Sequence, residues 1–389
     1  MANRNPLTYE QSGVNLSLGD YFSKTMADAS RQTWANREGT FGQVEAVSEA
    51  FTSARAIPLT ALKGHNLEDL MLDQPTDGIG TKIENSERIR NHTSSAFNLI
   101  AMGADDPAAE GFEPIFASNV IDVRKLRDKP ETYKAIGELA TGLIEACEAA
   151  GIVMLRGEVA ELGNRVNGYG RFNYNWSVAV TSLTHRSRFL TGLKVEPGQA
   201  LVGFKEDGFR SNGLSLVRGA LAERHGAKWH DKKLRKLDNV TLGEQVNQPS
   251  RIYTKLMVEL TGGYDINRTP RADVAAFAHI TGGGQPGKLG RALEPSGYGA
   301  IIDTPIEPLP IMREVQKIAQ VSDEEIYSTI NMGTGLIGIT AEPDRMIEAA
   351  AEFGIEAQQI GRVTRQPAIR IKSQGVMQEG EWLVFERAA

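Results

Sequence analysis

The segment Thr76-Asp77-Gly78-Ile79-Gly80-Thr81-Lys82, behind the apolar Leu70-Met71-Leu72, gathers a carboxylate, two glycines, hydroxyls and an ammonium within seven residues. Glycine lets a backbone approach a ligand closely, and a lysine neutralises a phosphate oxygen as a point charge. Asp77 suits Mg2+, which takes oxygen ligands and keeps waters and substrate phosphates around it. The segment lacks the G-x-x-x-x-G-K-S/T spacing of a Walker A loop, so a phosphate site here is not of P-loop type. An ordinary strand-to-turn connection fits the same residues, and both readings stay open.

Moving outward, strands and helices alternate on either side. Asp105-Asp106 precedes Pro107. Adjacent carboxylates repel unless a cation or solvent compensates, and proline biases the residue before it away from αR, so the pair reads as a solvated helix end or as an acidic site. Residues 128–151 read as a capped helix. Asp128 is placed to cap, Pro130 suits the first turn, Ile136, Leu139, Leu143 and Cys147 line one face, and Gly151 closes the end in αL geometry. A strand over Ile152 to Leu155 leads into Arg156-Gly157-Glu158-Val159-Ala160-Glu161, where Glu158 and Glu161 share a face if the turn is helical. Carboxylates beyond a strand's C-terminal end sit where α/β sheets hold ligands. Trp176 to Leu183 is a longer strand. Upstream, Leu16, Leu18, Phe22 and Met26 repeat weakly, and the stretch before Phe41 (residues 30–42) reads as a mobile loop.

The second half repeats the alternation. Residues 200–204 form a strand; Ser211 caps a helix carrying Leu214, Val217 and Leu221 and stopped by Gly226. A further helix starts at Pro249, carries Ile252, Leu256 and Leu260, and ends at Gly262-Gly263. Helices over 308–320 and 343–353 and strands over 335–340 and 368–372 follow. The pattern predicts two α/β domains, 1–187 and 188–389. Two loops carry chemistry. Gly208-Phe209-Arg210-Ser211-Asn212-Gly213 leads into a helix, whose free N–H groups favour an anion. Ala278-His279-Ile280-Thr281-Gly282-Gly283-Gly284 runs from a strand into three glycines, at roughly 0.5–1 kcal/mol each against alanine in regular structure. A phosphate approached by backbone, or a flexible loop, accounts for them equally well. His279 reads as a core histidine more readily than as a base.

Composition narrows the partners. The 389 residues are 41% hydrophobic and 24% charged, with a net charge of −6 and no dense Lys/Arg tract. Nucleic acid, which needs a clustered positive field, is excluded as a partner; a small anion is not. The single cysteine, Cys147, allows no intrachain disulfide and reads as packing. The opening MANRNPLTYE has no apolar export core, and no segment approaches the ~20 apolar residues of a membrane span. A reducing cytoplasm is the expected setting.

Taken in order, these segments resemble the AIR-synthetase family over nearly the whole chain. Leu7-Thr8-Tyr9 with Ser12-Gly13-Val14 is similar to the family's opening. TDGIGTK resembles TDGVGTK, IAMGADD stands where the family has VAM-x-x-ND, and GEVAEL resembles GETAEM. SNGLSLVR resembles SNGYSLVR, Arg251-Ile252-Tyr253 the TRIY segment, AHITGGG the family's AHLTGGG, and Asn331 to Gly335 its N-x-G-V-G.

The resemblance implies an α/β (α+β) fold with an N-terminal domain that forms a β-barrel across a homodimer and a C-terminal α/β domain. It implies ATP and Mg2+ held by the N-terminal acidic segments, with a ribonucleotide substrate on the C-terminal side. The implied reaction is ATP-dependent cyclisation of formylglycinamidine ribonucleotide to aminoimidazole ribonucleotide in purine biosynthesis, through phosphorylation of the amide oxygen. Asp77, Asp106 and Glu158 are the implied metal ligands and catalytic carboxylates. Thr76, Gly78, Thr81 and Asp105 stand beside the nucleotide, Lys82 on a phosphate, and Glu161 behind them. Arg210, Ser211, Asn212, Thr281 and Gly282 to Gly284 fall on the substrate side.

The chain departs from the family pattern in places. Arg210 replaces a histidine before SNG; it does not give up its proton near pH 7 but is able to clamp phosphate bidentately. The usual Asn-Asp pair is Asp105-Asp106, followed by Pro107, which is expected to interrupt a helix. A family lysine falls at Ala27, with Lys24 one turn earlier as a substitute. GGE has become Arg156-Gly157-Glu158, and Gln285-Pro286-Gly287-Lys288 replaces an aromatic-containing stretch. Besides the cyclo-ligase, a superfamily member with another substrate and a non-catalytic nucleotide-binding relative both stay open.

Overall fold

The computed structural model describes residues 15–48, 53–237 and 239–386. The segment from Leu7 to Val14 lies outside them. The chain begins with α1 (Leu16–Gln32), β1 (Glu45–Ala46), β2 (Arg55–Ala56), β3 (Leu70–Asp73), β4 (Thr76–Gly78), α2 (Ile83–Ile89) and α3 (Thr93–Ala109). It continues with β5 (Glu113–Val123), α4 (Pro130–Ala150), β6 (Val153–Glu161) and β7 (Tyr174–His185). A second unit holds β8 (Ala200–Lys205), α5 (Leu214–His225), α6 (Leu242–Val246), α7 (Thr254–Thr261), β9 (Val274–His279) and α8 (Gly284–Leu293). Then come β10 (Gly299–Ile302), α9 (Pro310–Ala319), α10 (Asp323–Thr329), β11 (Thr334–Thr340), α11 (Pro343–Glu352), β12 (Ala357–Thr364), β13 (Ala368–Lys372) and β14 (Trp382–Glu386).

The first unit is built on a sheet of order β3-β7-β5-β6, with β4 also on β7; β5 and β6 run parallel and the other pairs antiparallel. The second unit carries a seven-stranded mixed sheet, β14-β13-β10-β12-β8-β11-β9. Each has its own apolar core, one around Leu99, Ile121, Leu139, Met154 and Trp176, the other around Leu201, Phe209, Ile337 and Ile369. The fold is thus a mixed α/β one in two units. On the first sheet, Ile121, Val123, Trp176 and Val178 are buried. The alternate residues Ser118, Val120, Asp122, Asn175, Ser177 and Ala179 stay partly or fully exposed, so one face remains open. Among the described residues no helix is long and apolar enough to cross a membrane.

Several elements follow local chemistry. α4 starts with Pro130 in its first turn and ends at Gly151 in αL geometry, φ 70°. Asp128, however, does not cap it; the cap position is Lys129, and Asp128 accepts a hydrogen bond from the Tyr133 hydroxyl at 3.1 Å. Ser211 does not cap α5 either, because Gly213 takes that position at φ 75°. Tertiary partners override other expectations. The stretch before Phe41 is tied down, since Arg37 reaches Glu113 at 2.6 Å and the Gly151 carbonyl at 2.8 Å, and Phe41 packs with Ile115, Leu183 and Tyr264. α3 continues through Pro107 to Ala109. Pro107, two residues before the helix end, removes one helical bond, which the packing of α3 against elements of both units offsets.

α7 begins at Thr254 rather than Pro249. Residues ahead of it are held by groups far away in sequence: Ser250 N donates to Asn98 Oδ1 at 3.0 Å, Arg251 N to Glu206 Oε1 at 3.0 Å, and Tyr253 N to Asp105 Oδ1 at 2.9 Å. Asp105, in α3, therefore supplies the anionic cap that α7 lacks in its own sequence.

A second buried carboxylate lies on α2. Glu87 accepts from Tyr169 N at 2.6 Å and Asn173 Nδ2 at 3.2 Å, yet burial outweighs these bonds and pushes its carboxyl from 4.5 up to about 7. Between those values the folded chain keeps a proton that the unfolded chain has released, so stability falls as pH rises through the window. Wild type is expected to lose about 3 kcal/mol there from this group, and Glu87→Gln to lack that component, as read by urea unfolding at pH 4.5 and 7.

Candidate functional site

The loops of both units meet at the C-terminal end of α3. Asp77, on β4, turns toward this helix, while Asp106 occupies its last turns with the side chain 41% exposed. His279, at the end of β9, places Nδ1 2.5 Å from Asp106 Oδ1. Behind it Arg210 places Nη2 2.5 Å from His279 Nε2. The guanidinium also meets Glu206 at 2.7 Å, Asp105 at 3.0 Å and the Arg251 carbonyl at 2.9 Å, and its Cζ lies 5.4 Å from the Tyr253 ring centre. Arg210, Asp105, Glu206 and His279 are all buried. Burial opposes the charge on Arg210, but Glu206 and Asp105 outweigh it and hold the guanidinium protonated. Asp105, read from the sequence as part of a solvated helix end or an acidic site, is buried as the inner half of an ion cluster.

The outer half faces the cleft. Burial raises the Asp77 carboxyl, the Gly78 N–H opposes this, and nearby Asp106 adds to the rise. For Asp106, burial alone would raise the carboxyl, but the His279 hydrogen bond and the charges of Lys288 and Arg210 bring it below its ordinary range. Glu110 is raised by burial, then by Asp73 and Asp106. Lys288, on α8, is the cation whose field reaches Asp77, Asp106 and Glu110 together. The cleft is thus predominantly acidic, and the second oxygen of Asp77 and of Asp106 takes no hydrogen bond from the described residues.

The residues singled out by sequence divide here. Lys82 does not face the cleft. It is fully buried, and its Nζ donates to the carbonyls of Phe209 and, at 2.8 Å, Gln248, joining the two units. The turn at Gly80, φ 66°, directs it inward. Thr76 and Thr81 are exposed, and the Thr81 carbonyl accepts from Arg218 at 2.6 Å. Arg210, buried and committed through both terminal nitrogens to Glu206, Asp105 and His279, is not placed to clamp a phosphate.

Glu158 lies elsewhere, on the open sheet face. It is in register with Val120, Ser177 and Gly78, three strand spacings, about 14 Å, from β4. Glu158 and Glu161 share no helical face, because β6 stays paired with β5 as far as Glu161. The Glu161 carboxylate accepts from Asn15 N at 3.0 Å and Leu126 N at 2.8 Å, which gives it a structural task. Among the described residues, no group of three His, Cys, Asp or Glu side chains is arranged to hold a metal. Glu158 lines a recess of about 90 Å³ with Ala27 and Arg55. Arg55, not Lys24, brings the cation to the neighbourhood of Ala27.

On the other side, Gly282 touches Asn212, where a Cβ would come 3.4 Å from Oδ1. The Ser211 hydroxyl and the Asn212 amide nitrogen are buried without a protein partner. Gly283 caps α8 at φ 93°, and a Cβ there would make only ordinary contact, 3.6 Å, with Gly287 Cα. Gly284 is required by packing, since a Cβ would fall 1.9 Å from the Tyr327 carbonyl. Thr281 is buried and its carbonyl accepts from Gly284 N at 3.0 Å. Glu206 and Gln248 went unnoticed in the sequence. Nothing local marks either, because residues 206–210 form a loop rather than a helix and Gln248 lies ahead of α7.

Comparison with known proteins covers most of the chain. Residues 67–183 match the family described as AIR synthase related protein, N-terminal domain, and residues 196–374 its C-terminal domain. A phosphoribosylformylglycinamidine cyclo-ligase of Anaeromyxobacter sp. (strain Fw109-5) is 32% identical over 364 residues, covering 92% of this chain and 96% of that protein. Among solved structures, thiamine-monophosphate kinase from Stenotrophomonas maltophilia K279a aligns with a TM-score of 0.58 at 15% identity, over 92% and 97% of the two chains. The hydrogenase maturation protein HypE in complex with ATP aligns with a TM-score of 0.51 at 14% identity, over 82% and 86%.

Proposed function

The chain belongs to the AIR synthase related family, and from that premise we propose that it is an ATP-dependent cyclo-ligase closing formylglycinamidine ribonucleotide to aminoimidazole ribonucleotide. The observation that carries the reading is the end-to-end similarity to the Anaeromyxobacter cyclo-ligase, 32% identical over 92% of this chain. In the proposed reaction the substrate's amide oxygen attacks the γ-phosphorus of ATP and ADP departs. The amide becomes a phosphorylated imidate, so its oxygen, a poor leaving group, is converted into a good one. An internal nitrogen then forms the ring C–N bond, the C–O bond breaks, and inorganic phosphate and a proton leave. Such chemistry asks the protein mainly for positioning and charge neutralisation.

The acidic cleft supports a metal-bound nucleotide. Asp77 and Asp106 repel each other, each keeps an oxygen available, and hard oxygen donors of this kind suit Mg2+. In this reading the two carboxylates hold the ion, which neutralises phosphate charge when bound. Gly78 and Thr81 border the nucleotide. Ser211, Asn212, Thr281, Gly282 and Gly283 form the ribonucleotide side, where two unpartnered polar atoms await a ligand. We place the domain boundary near residue 187 and expect a homodimer formed through the open face of the first sheet. Glu158 would then belong to that interface rather than to the cleft.

One observation favours a second reading, a family member with another substrate: the position of the cyclo-ligase histidine is held by Arg210, which is buried and neutralised within the protein. The deciding experiment measures phosphate release with ATP, Mg2+ and formylglycinamidine ribonucleotide, alongside the colour reaction of aminoimidazole product. Equal amounts of phosphate and aminoimidazole are expected. Nucleotide binding without turnover would move the assignment to the second reading.

A further inference from the structure

We infer that Arg210 is a positioning residue: it fixes the ring of His279 and, through it, the carboxylate of Asp106. A guanidinium has only N–H donors and keeps its proton, so at 2.5 Å from His279 Nε2 it donates and Nε2 must hold the lone pair. The proton of the neutral ring is then on Nδ1, which points at Asp106 Oδ1 at 2.5 Å. Arg210 thereby selects one of two tautomers and aims its single N–H at the cleft carboxylate.

The cluster's composition supports this. Two departures from the family pattern, Arg210 for histidine and Asp105 for asparagine, lie 3.0 Å apart. Glu206, four residues before Arg210 on the same loop, takes the other side of the fork at 2.7 Å. A guanidinium introduced here alone would be an uncompensated buried charge. With both acids present it is neutralised and held in one orientation, and Asp105 is itself fixed by Tyr253 N and, at 2.8 Å, Thr254 Oγ1. The chain from α7 through Asp105, Arg210 and His279 to Asp106 is continuous and hydrogen-bonded throughout. The inference rests on Asp106 belonging to the nucleotide site.

The test is 15N-histidine NMR of the intact protein at fixed neutral pH, together with steady-state kinetics. Wild-type His279 is expected as the Nδ1–H tautomer, with Nε2 unprotonated. In Arg210→Met combined with Asp105→Asn, which preserves the net charge of the cluster, the ring should lose that single tautomer. In the same variant kcat should fall 10- to 100-fold with the nucleotide KM changed less than threefold. An Nε2–H or doubly protonated ring in wild type overturns the inference, and so does unchanged kcat in the double variant. Should the double variant fail to fold, Arg210→Lys, which keeps the charge but not the fork, is read in the same two ways. A protein with the expected tautomer but no phosphate release under any substrate would instead overturn the functional reading alone.

Discussion

Asp106→Asn is expected to lower nucleotide-dependent phosphate release by about two to three orders of magnitude while moving Tm by no more than a few degrees. Asparagine keeps an oxygen to accept from His279 Nδ1, so the hydrogen bond at the end of α3 survives. What disappears is the charge, which the surroundings of Asp106 preserve by holding its carboxyl below the ordinary range. The change also relieves the repulsion that raises Asp77. The fold therefore has no reason to fail, and any loss belongs to cation and phosphate binding. Turnover at saturating Mg–ATP, nucleotide titration by calorimetry and a thermal melt separate the two. Unchanged kcat and affinity would take Asp106 out of the site.

Lys82→Met is expected to act on stability and its pH dependence. Burial lowers the Lys82 ammonium from 10.5 to about 7, against the pull of Glu206. Between pH 7 and 9 the unfolded chain keeps this proton and the folded chain releases it. The unfolded state binds more protons, so Lys82 makes wild-type stability rise with pH, by about 2–3 kcal/mol over those two units. The methionine variant should lack this rise. It should also be less stable than wild type at pH 9, because the carbonyls of Phe209 and Gln248 lose their donor at roughly 1–3 kcal/mol each. Denaturant unfolding at pH 7 and 9 for both proteins measures the difference. Parallel curves would show that the Lys82 amine is solvated, returning it to consideration as a phosphate ligand.

What the sequence made legible is what short-range chemistry determines. α4 could be read from Pro130 and Gly151 because a first-turn proline and an αL glycine act on their own backbone. The units separate because apolar periodicity is local. The proximity of Asp77 and Asp106 was foreshadowed by glycine-flanked and paired carboxylates, though only the fold brings them together. Lys82 looked like a phosphate ligand because its neighbours do not reveal that the turn at Gly80 sends it inward. β6 outlasts its local pattern because β5 pairs with it to the end, and α7 starts late because Asn98, Asp105 and Glu206 restrain the preceding residues. Arg210 and Asp105 were visible as oddities, but their mutual compensation spans 105 positions and leaves no local trace.

The dependence of α7 on Asp105 also bears on synthesis. Asp105 and the Tyr253 N–H it caps are 148 residues apart. At about 5–20 residues per second, a ribosome would finish α3 roughly 7–30 s before its partner segment is made. For that interval Asn98 and Asp105 face water rather than the second unit, and the apolar side of α3 at Ala108 lacks its cluster partners Leu256 and Met257. A stalled or truncated product that ends before Tyr253 is therefore expected to be cleaved by protease faster than the full chain.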